Sequence, residues 1–249
     1  MAINILVTND DGVYSYGLKA LAREMRKIGN VFIVAPVSEK SATGHSLTLH
    51  RPLRVRRIGR DQTYAVNGTP TDCVNLALNG LLKVRPQIVV SGINIGANLA
   101  DDITYSGTVA AAMEATLQGV PALAVSIAGR SKLYFTSARE IALKLVKKII
   151  KTPLPQNVLL NINVPNIAGN KIKGYRFTRQ GKRQYGDSII EKVDPRGEKY
   201  YWIGGDILGD KPIENSDIEA VSEGYISITP IQLDLTAYSF LEKMAKWNV

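Results

Sequence analysis

Short apolar runs alternate with stripes of apolar residues at helical spacing through the first two thirds of the chain, and this alternation constrains its fold most. Ile3 to Val7 reads as a buried strand. Leu18, Leu21, Ala22, Met25 and Ile28 fall on one face of a helix that Gly29 can end, and Val31 to Ala35 reads as a strand again. The pattern recurs downstream. A stripe at Cys73, Val74, Ala77, Leu78 and Leu81 precedes a strand at Ile88 to Ser91, and a helix at Thr108 to Leu117 precedes a strand at Ala122 to Ile127. A longer helix spans Ser137 to Ile150. Such alternation specifies an α/β fold: a Rossmann-like, mostly parallel sheet with helices on both faces. Leu53 to Val55 and Tyr64 to Val66 read as a hairpin inserted after the second strand. Leu159 to Val164 reads as the last strand of the core. Beyond it, Tyr175 to Thr178, Lys199 to Ile203 and Tyr225 to Ile231 are strand-like, separated by charged and Gly-rich connections, and a helix covers Tyr238 to Lys246. Residues 1–165 therefore read as an α/β core. Residues 166–249 read as a β-rich C-terminal extension with a terminal helix.

Composition narrows the function classes. The 249 residues are 45% hydrophobic, enough for one large core, and the mean hydropathy is −0.03, with no run long enough to span a membrane. The N-terminus opens on a strand-like run with no readable export signal, so a soluble, cytoplasmic protein is expected. One cysteine, Cys73, excludes an internal disulfide, and with two histidines it cannot build a thiolate zinc cage. A formal charge of +9 favours anionic partners. The basic runs at Arg51 to Arg60, Lys144 to Lys151 and Lys171 to Arg183 are dispersed, which fits a solvated basic surface better than stable nucleic-acid binding.

The chemistry concentrates where strands of one sheet end. Asn9, Asp10, Asp11 and Gly12 follow the first strand, and open parallel sheets bind ligands beyond the carboxyl ends of their strands. In a loop, both carboxylates can converge on one point. Like charges held that close call for a cation, and hard oxygens without nearby Cys or His favour Mg²⁺ or Mn²⁺. The same four residues also compose an ordinary turn. The segment Ser91 to Asn98 reads as a Gly-rich loop after the strand Ile88 to Val90, and Asn94 and Asn98 offer neutral amide oxygens there. Tyr105, Ser106, Gly107 and Thr108 open a helix whose free N–H groups can take a phosphate, although capping alone also explains Ser106. The loop Pro36 to Ser46 is long enough to overhang the same edge, with Ser41 as an oxygen ligand and Lys40 or His45 as a phosphate partner. Thr69, Pro70 and Asp72 read as N-cap, N1 and N3 of a capping box. Dinucleotide, P-loop, hydrolase-elbow and zincin motifs are absent.

Taken together, ILVTNDDG at 5–12, Ala35-Pro36, SATGHS at 41–46, GTPTDCV at 68–74, SGIN at 91–94 running on to Asn98, YSGTV at 105–109 and GYISITP at 224–230 resemble the SurE family of stationary-phase survival proteins. These are metal-dependent nucleoside-monophosphate phosphatases, and the resemblance spans essentially the whole chain. It implies one divalent cation per subunit held by Asp10, Asp11, Ser41 and Asn98, and an anion site near Asn9, Ser106, Gly107 and Thr108, with Asn94 as a further substrate contact. It also implies a C-terminal part exchanged between subunits of a homodimer or homotetramer. The chain departs from the family pattern at Val37, Lys40 and Ala100, the last where Gly is common. The expected activity is hydrolysis of nucleoside 5′-monophosphates, with 3′-monophosphates as a second class. Two rivals stand beside it: a haloacid-dehalogenase-like phosphatase with an aspartate nucleophile, which lacks its D-x-D spacing here, and a non-catalytic nucleotide- or nucleic-acid-binding protein.

Overall fold

The computed structural model describes residues 2–185, 189–203, 207–210 and 213–247; the parts of the 166–249 extension between and beyond these ranges lie outside the described residues. The chain opens with β1 (Ile3–Thr8), α1 (Tyr16–Met25) and β2 (Gly29–Pro36), and continues through β3 (Val55–Arg57), β4 (Thr63–Val66) and α2 (Pro70–Leu76). Then follow β5 (Ile88–Ile95), α3 (Gly107–Leu117), β6 (Ala122–Ala128), α4 (Phe135–Lys151) and β7 (Val158–Pro165). The C-terminal part supplies β8 (Tyr175–Phe177), β9 (Arg183–Tyr185), β10 (Ile189–Val193), β11 (Lys199–Ile203), β12 (Ile207–Asp210), α5 (Asp217–Ser222), β13 (Ile226–Gln232) and α6 (Tyr238–Met244).

Nine of these strands form one sheet in the order β3-β4-β2-β1-β5-β6-β7-β13-β8. From β4 to β7 every pairing is parallel; the pairings β3 with β4 and β7 with β13 are antiparallel. The strand period of two explains how both faces are covered. Ile5 and Val7 of β1 point to a cluster completed by Leu18, Leu21 and Met25 of α1 and Ile141, Val146 and Ile149 of α4. Leu6 between them points to the opposite cluster, with Cys73 and Val74 of α2 and Val109, Ala112 and Ala115 of α3. Each fully buried Leu or Ile side chain contributes about 2 kcal/mol to this three-layer arrangement. The alanines of α3 let it lie close to the sheet, and nearly every one of its residues is buried.

The expected α/β architecture is thus present, with three local differences. The segment from Ser91 to Ile95, read as a loop, is the second half of β5. Gly92 sits at φ +130°, and a Cβ there would lie 2.3 Å from the carbonyl oxygen of Val125, so a glycine read as part of a loop instead marks an irregularity inside the strand. The hairpin β3–β4 does not stand apart from the sheet, because β4 pairs in parallel with β2. Finally, β7 is followed in the same sheet by β13, antiparallel to it, and by β8. Two further antiparallel pairs, β10 with β11 and β9 with β12, stand outside the main sheet. Among the described residues no helix is long and apolar enough to cross a membrane.

Candidate active site at the β1–β5 switch point

Strand β1 pairs with β2 on one side and β5 on the other, so successive crossovers leave in opposite directions at this place. Doubly wound sheets open a crevice there. In this protein it is a cavity of about 270 Å³ whose lining includes Asp10, Asp11, Ser41, Asn94, Asn98 and Ser106. It is also lined by Glu39, Asp102, Tyr105 and Arg130. A larger recess of about 380 Å³ lies at the opposite edge, near the starts of β6 and β7, but contains no ionisable side chain.

The first acid is set by the loop that leaves β1. Gly12, at φ +95°, brings this loop against the backbone of Ser38, where a Cβ would meet the carbonyl carbon at 3.1 Å. Lys40 N donates to Asp10 O at 2.8 Å and Val13 N to Pro36 O at 2.8 Å, so the loops after β1 and β2 are stitched together. Asp10 is buried, and its Oδ1 accepts from Thr108 Oγ1 at 2.5 Å. Burial pushes its carboxyl up from the ordinary range while the Thr108 hydroxyl pulls it back down. Asp11 is pushed up to about 6, first by burial and then by the charge of Asp10 beside it. Its Oδ2 is buried with no hydrogen-bond partner.

The other walls come from the neighbouring loops. Ser41 Oγ donates to Glu39 Oε1 at 2.5 Å, and Glu39 adds a third negative charge that raises both aspartates. His45 Nε2 lies 2.9 Å from Glu114 Oε2 on α3, which anchors the loop carrying Ser41 and holds the Glu114 carboxyl below its usual range. His45 is absent from the cavity lining. Asn98 is held on three sides: its backbone N–H donates to Asn163 Oδ1 at 2.8 Å, its carbonyl accepts from Asn161 and Asn163, and its Nδ2 donates to Ser126 Oγ at 2.8 Å. With Nδ2 committed, Oδ1 is the end of the amide left for a ligand. Asn94 Nδ2 donates to Gly96 O at 2.9 Å. Ser106 caps α3, accepting from Val109 N at 3.1 Å, and its hydroxyl proton is free to point into the cavity.

Three residues expected at the site stand behind it. Asn9 is fully buried, with Nδ2 donating to Gly12 O and Ser15 Oγ. Thr108 braces Asp10 from α3, and Gly107 fits against it: a Cβ on Gly107 would lie 2.9 Å from that of Asp10. Glu39 and Arg130 are lining residues that sequence reasoning did not single out. Each is one charged residue in a loop, and only the +9 balance and the position of their loops after β2 and β6 hinted at a role.

The donor set suits a hard cation. Two adjacent carboxylates, one with a buried oxygen that nothing donates to, are stabilised by positive charge between them. Among the described residues no three His, Cys, Asp or Glu side chains are arranged to hold a metal, so an ion here would also draw on the neutral oxygens of Ser41 and Asn98.

Comparison with known proteins decides the family. A sequence model described as "Survival protein SurE" matches residues 5–187. The chain belongs to the SurE family. It is 52% identical over 248 residues to the "5′-nucleotidase SurE" of Geotalea daltonii, covering 99% of this chain and 100% of that protein. Likewise it is 52% identical over 249 residues to the "5′-nucleotidase SurE" of Geobacter sulfurreducens, covering 99% and 94%. The crystal structure of the SurE protein from Aquifex aeolicus superposes with a TM-score of 0.86 at 42% identity, over 97% of this chain and 98% of that one. The resemblance read from the motifs is therefore borne out, and so is the α/β fold.

Proposed function

We propose that this SurE-family protein is a metal-dependent phosphomonoesterase that hydrolyses nucleoside 5′-monophosphates, and 3′-monophosphates as a second class, to nucleoside and phosphate. The observation that carries the reading is the Asp10–Asp11 pair at the switch-point cavity, with Asp11 Oδ2 buried and unpartnered. Its relatives' shared name supports the same substrate class.

In this reading Asp10, Asp11, Ser41 Oγ and Asn98 Oδ1 hold one divalent cation, Mg²⁺ or Mn²⁺. When bound, such an ion neutralises phosphoryl charge and makes the attacking water more acidic. The protein's own groups do the rest. Thr108 keeps Asp10 in one orientation, so the ligand set forms without rearrangement. Ser106 presents its hydroxyl to the equatorial oxygens of the phosphate, and the start of α3 at Gly107 and Thr108, packed behind Asp10, turns the favourable end of the helix dipole towards an anion. Asn94 and Arg130 line the same cavity and contact the substrate, Arg130 by charge. Attack in line expels the nucleoside alkoxide.

An aspartate nucleophile of the haloacid-dehalogenase kind fits less well, since D-x-D is absent and an oxygen of Asp10 is already engaged by Thr108. A homo-oligomer and a cytoplasmic setting belong to the proposal. Apolar side chains on β10, β11 and α6, among them Trp202, Ile203 (90% exposed), Phe240 and Leu241, support assembly through residues 166–249. The test is phosphate release from a panel of nucleoside 5′- and 3′-monophosphates. Release that EDTA abolishes and Mn²⁺ restores is expected; tight, salt-sensitive binding without release would instead make the protein a nucleotide-sequestering module.

A further inference from the structure

Asn98, Asp102, Tyr105 and Ser106 all reach the cavity from one short segment that leaves β5, and this segment is held from a distant part of the chain. Its turning point is Ala100, fully buried at φ +52°, a left-handed conformation that disfavours a side chain. Both flanking polar groups of Ala100 are taken by the C-terminal part. Asp217 Oδ2 accepts from Ala100 N at 2.9 Å, and Gln180 Nε2 donates to Ala100 O at 3.0 Å. The next two residues are gripped from the same side, Asp101 by Lys182 at 2.9 Å and Asp102 by Arg183 at 2.8 Å.

Asp217 is built for this task. Its side chain is fully buried, and Oδ1 accepts from Gly181 N and Ile218 N at 2.8 Å each, so three backbone N–H groups fix one carboxylate. Gly181 leaves room for it: a Cβ there would lie 2.8 Å from Asp217 Oδ1. Capping of α5 does not explain the residue, because Ser216 accepts from Glu219 N at 3.2 Å as its N-cap. Asp217 does not line the cavity.

We propose that Asp217 and Gln180 are positioning residues for Asn98: together they bind the two sides of left-handed Ala100 and fix the far end of the segment whose near end, at Asn98, is held by Asn161, Asn163 and Ser126, so that the Asn98 amide stays directed at the cation. The inference rests on the reading of Asn98 as a cation ligand. The strength of coordination by Asn98 then depends in part on docking of residues 180–183 and 217 against residues 100–102, which couples the C-terminal part to the catalytic edge.

The experiment is a Mn²⁺ titration followed by electron paramagnetic resonance, with kcat on AMP measured in parallel, for the full-length protein and four variants. Asp217→Asn is expected to keep the circular dichroism of the parent while weakening Mn²⁺ affinity by roughly tenfold, the scale seen when groups that orient metal ligands are removed. Gln180→Ala should move the affinity in the same direction by less, and reports on the clamp even where Asp217→Asn does not fold. The double variant Ala100→Gly/Asp217→Asn should regain most of the Mn²⁺ affinity without regaining thermal stability, since glycine adopts the left-handed turn unaided. Folded Asp217→Asn and Gln180→Ala proteins that lose thermal stability but bind Mn²⁺ like the parent would overturn the clamp. Asn98→Ala controls the underlying reading: parental Mn²⁺ affinity in that variant overturns the ligand assignment and the clamp with it.

Discussion

Thr108 Oγ1 donates to Asp10 Oδ1 across 98 positions of sequence, in a buried bond of 2.5 Å. The bond joins the first turn of α3 to the loop after β1, so the phosphate-type helix start and the acidic pair are one unit. Removing the hydroxyl leaves a buried carboxylate short of a donor, and hydrogen bonds to charged groups are worth about 1.5–3 kcal/mol. Thr108→Val is therefore expected to lower kcat on AMP by roughly 10- to 100-fold with the fold intact, while Thr108→Ser, which keeps the hydroxyl, stays within a few-fold of the parent. Equal losses in both variants would show that the methyl packing, not the bond, matters.

The Asp11 carboxyl makes a prediction about stability as well as activity. Its folded-state value of about 6 lies above its ordinary 3.8, so the folded protein holds this proton more tightly than the unfolded chain. Between those values a rise in pH costs stability, and above about pH 6 the full cost is present. Asp11→Asn should accordingly raise the Tm of the metal-free protein at pH 7.5 by about 2–4 °C, corresponding to roughly 1 kcal/mol once solvent screening is allowed for. The gain should vanish near pH 4. The same variant should lose nearly all phosphate release. Scanning calorimetry at the two pH values, with EDTA present, checks the sign.

Arg130 is the basic side chain among the residues lining the cavity, which also holds Asp10, Asp11, Glu39 and Asp102. In the proposed reaction its part is attraction of the substrate dianion. Arg130→Ala is expected to raise KM for AMP by about tenfold and to weaken the dependence of kcat/KM on ionic strength, with kcat changed less than threefold. A fall in kcat at constant KM would move Arg130 from substrate capture to the chemical step.

The exposed apolar residues on β10 and β11 predict an assembly. Light scattering should give a mass of two or four chains, and Trp202→Glu combined with Ile203→Glu should shift the protein towards smaller species. A parent protein that elutes as a monomer at micromolar concentration would contradict the oligomer proposal.

Legibility in the sequence followed how local each signal is. The strands β1, β2 and β6, the helices α3 and α4, and the caps at Thr69 and Ser106 are written in neighbouring residues, and those signals place each within a few positions. Asp10 and Asp11 were readable because an acidic pair directly after a strand is both a pattern and a place. Other features have no neighbours to announce them. Nothing near Ile226 shows that it lies in the same sheet as Val164, because antiparallel pairing of β13 with β7 joins positions 64 to 74 residues apart. Gly92 looks the same whether it ends a strand or bends one. Asn161 and Asn163 interrupt an apolar strand for a reason visible only once Asn98 is seen between them. Asp217 sits at the first position of α5, where an acid is unremarkable, and its partner Ala100 lies 117 residues away.

The most direct measurement of the central claim is anomalous diffraction at the manganese edge from crystals soaked in Mn²⁺. One peak per subunit is predicted, with oxygen atoms of Asp10, Asp11, Ser41 and Asn98 at about 2.2 Å, a distance intermediate between those for Mg²⁺ and Ca²⁺. A cavity without a peak in crystals of protein that releases phosphate from AMP in the presence of Mn²⁺ would contradict it.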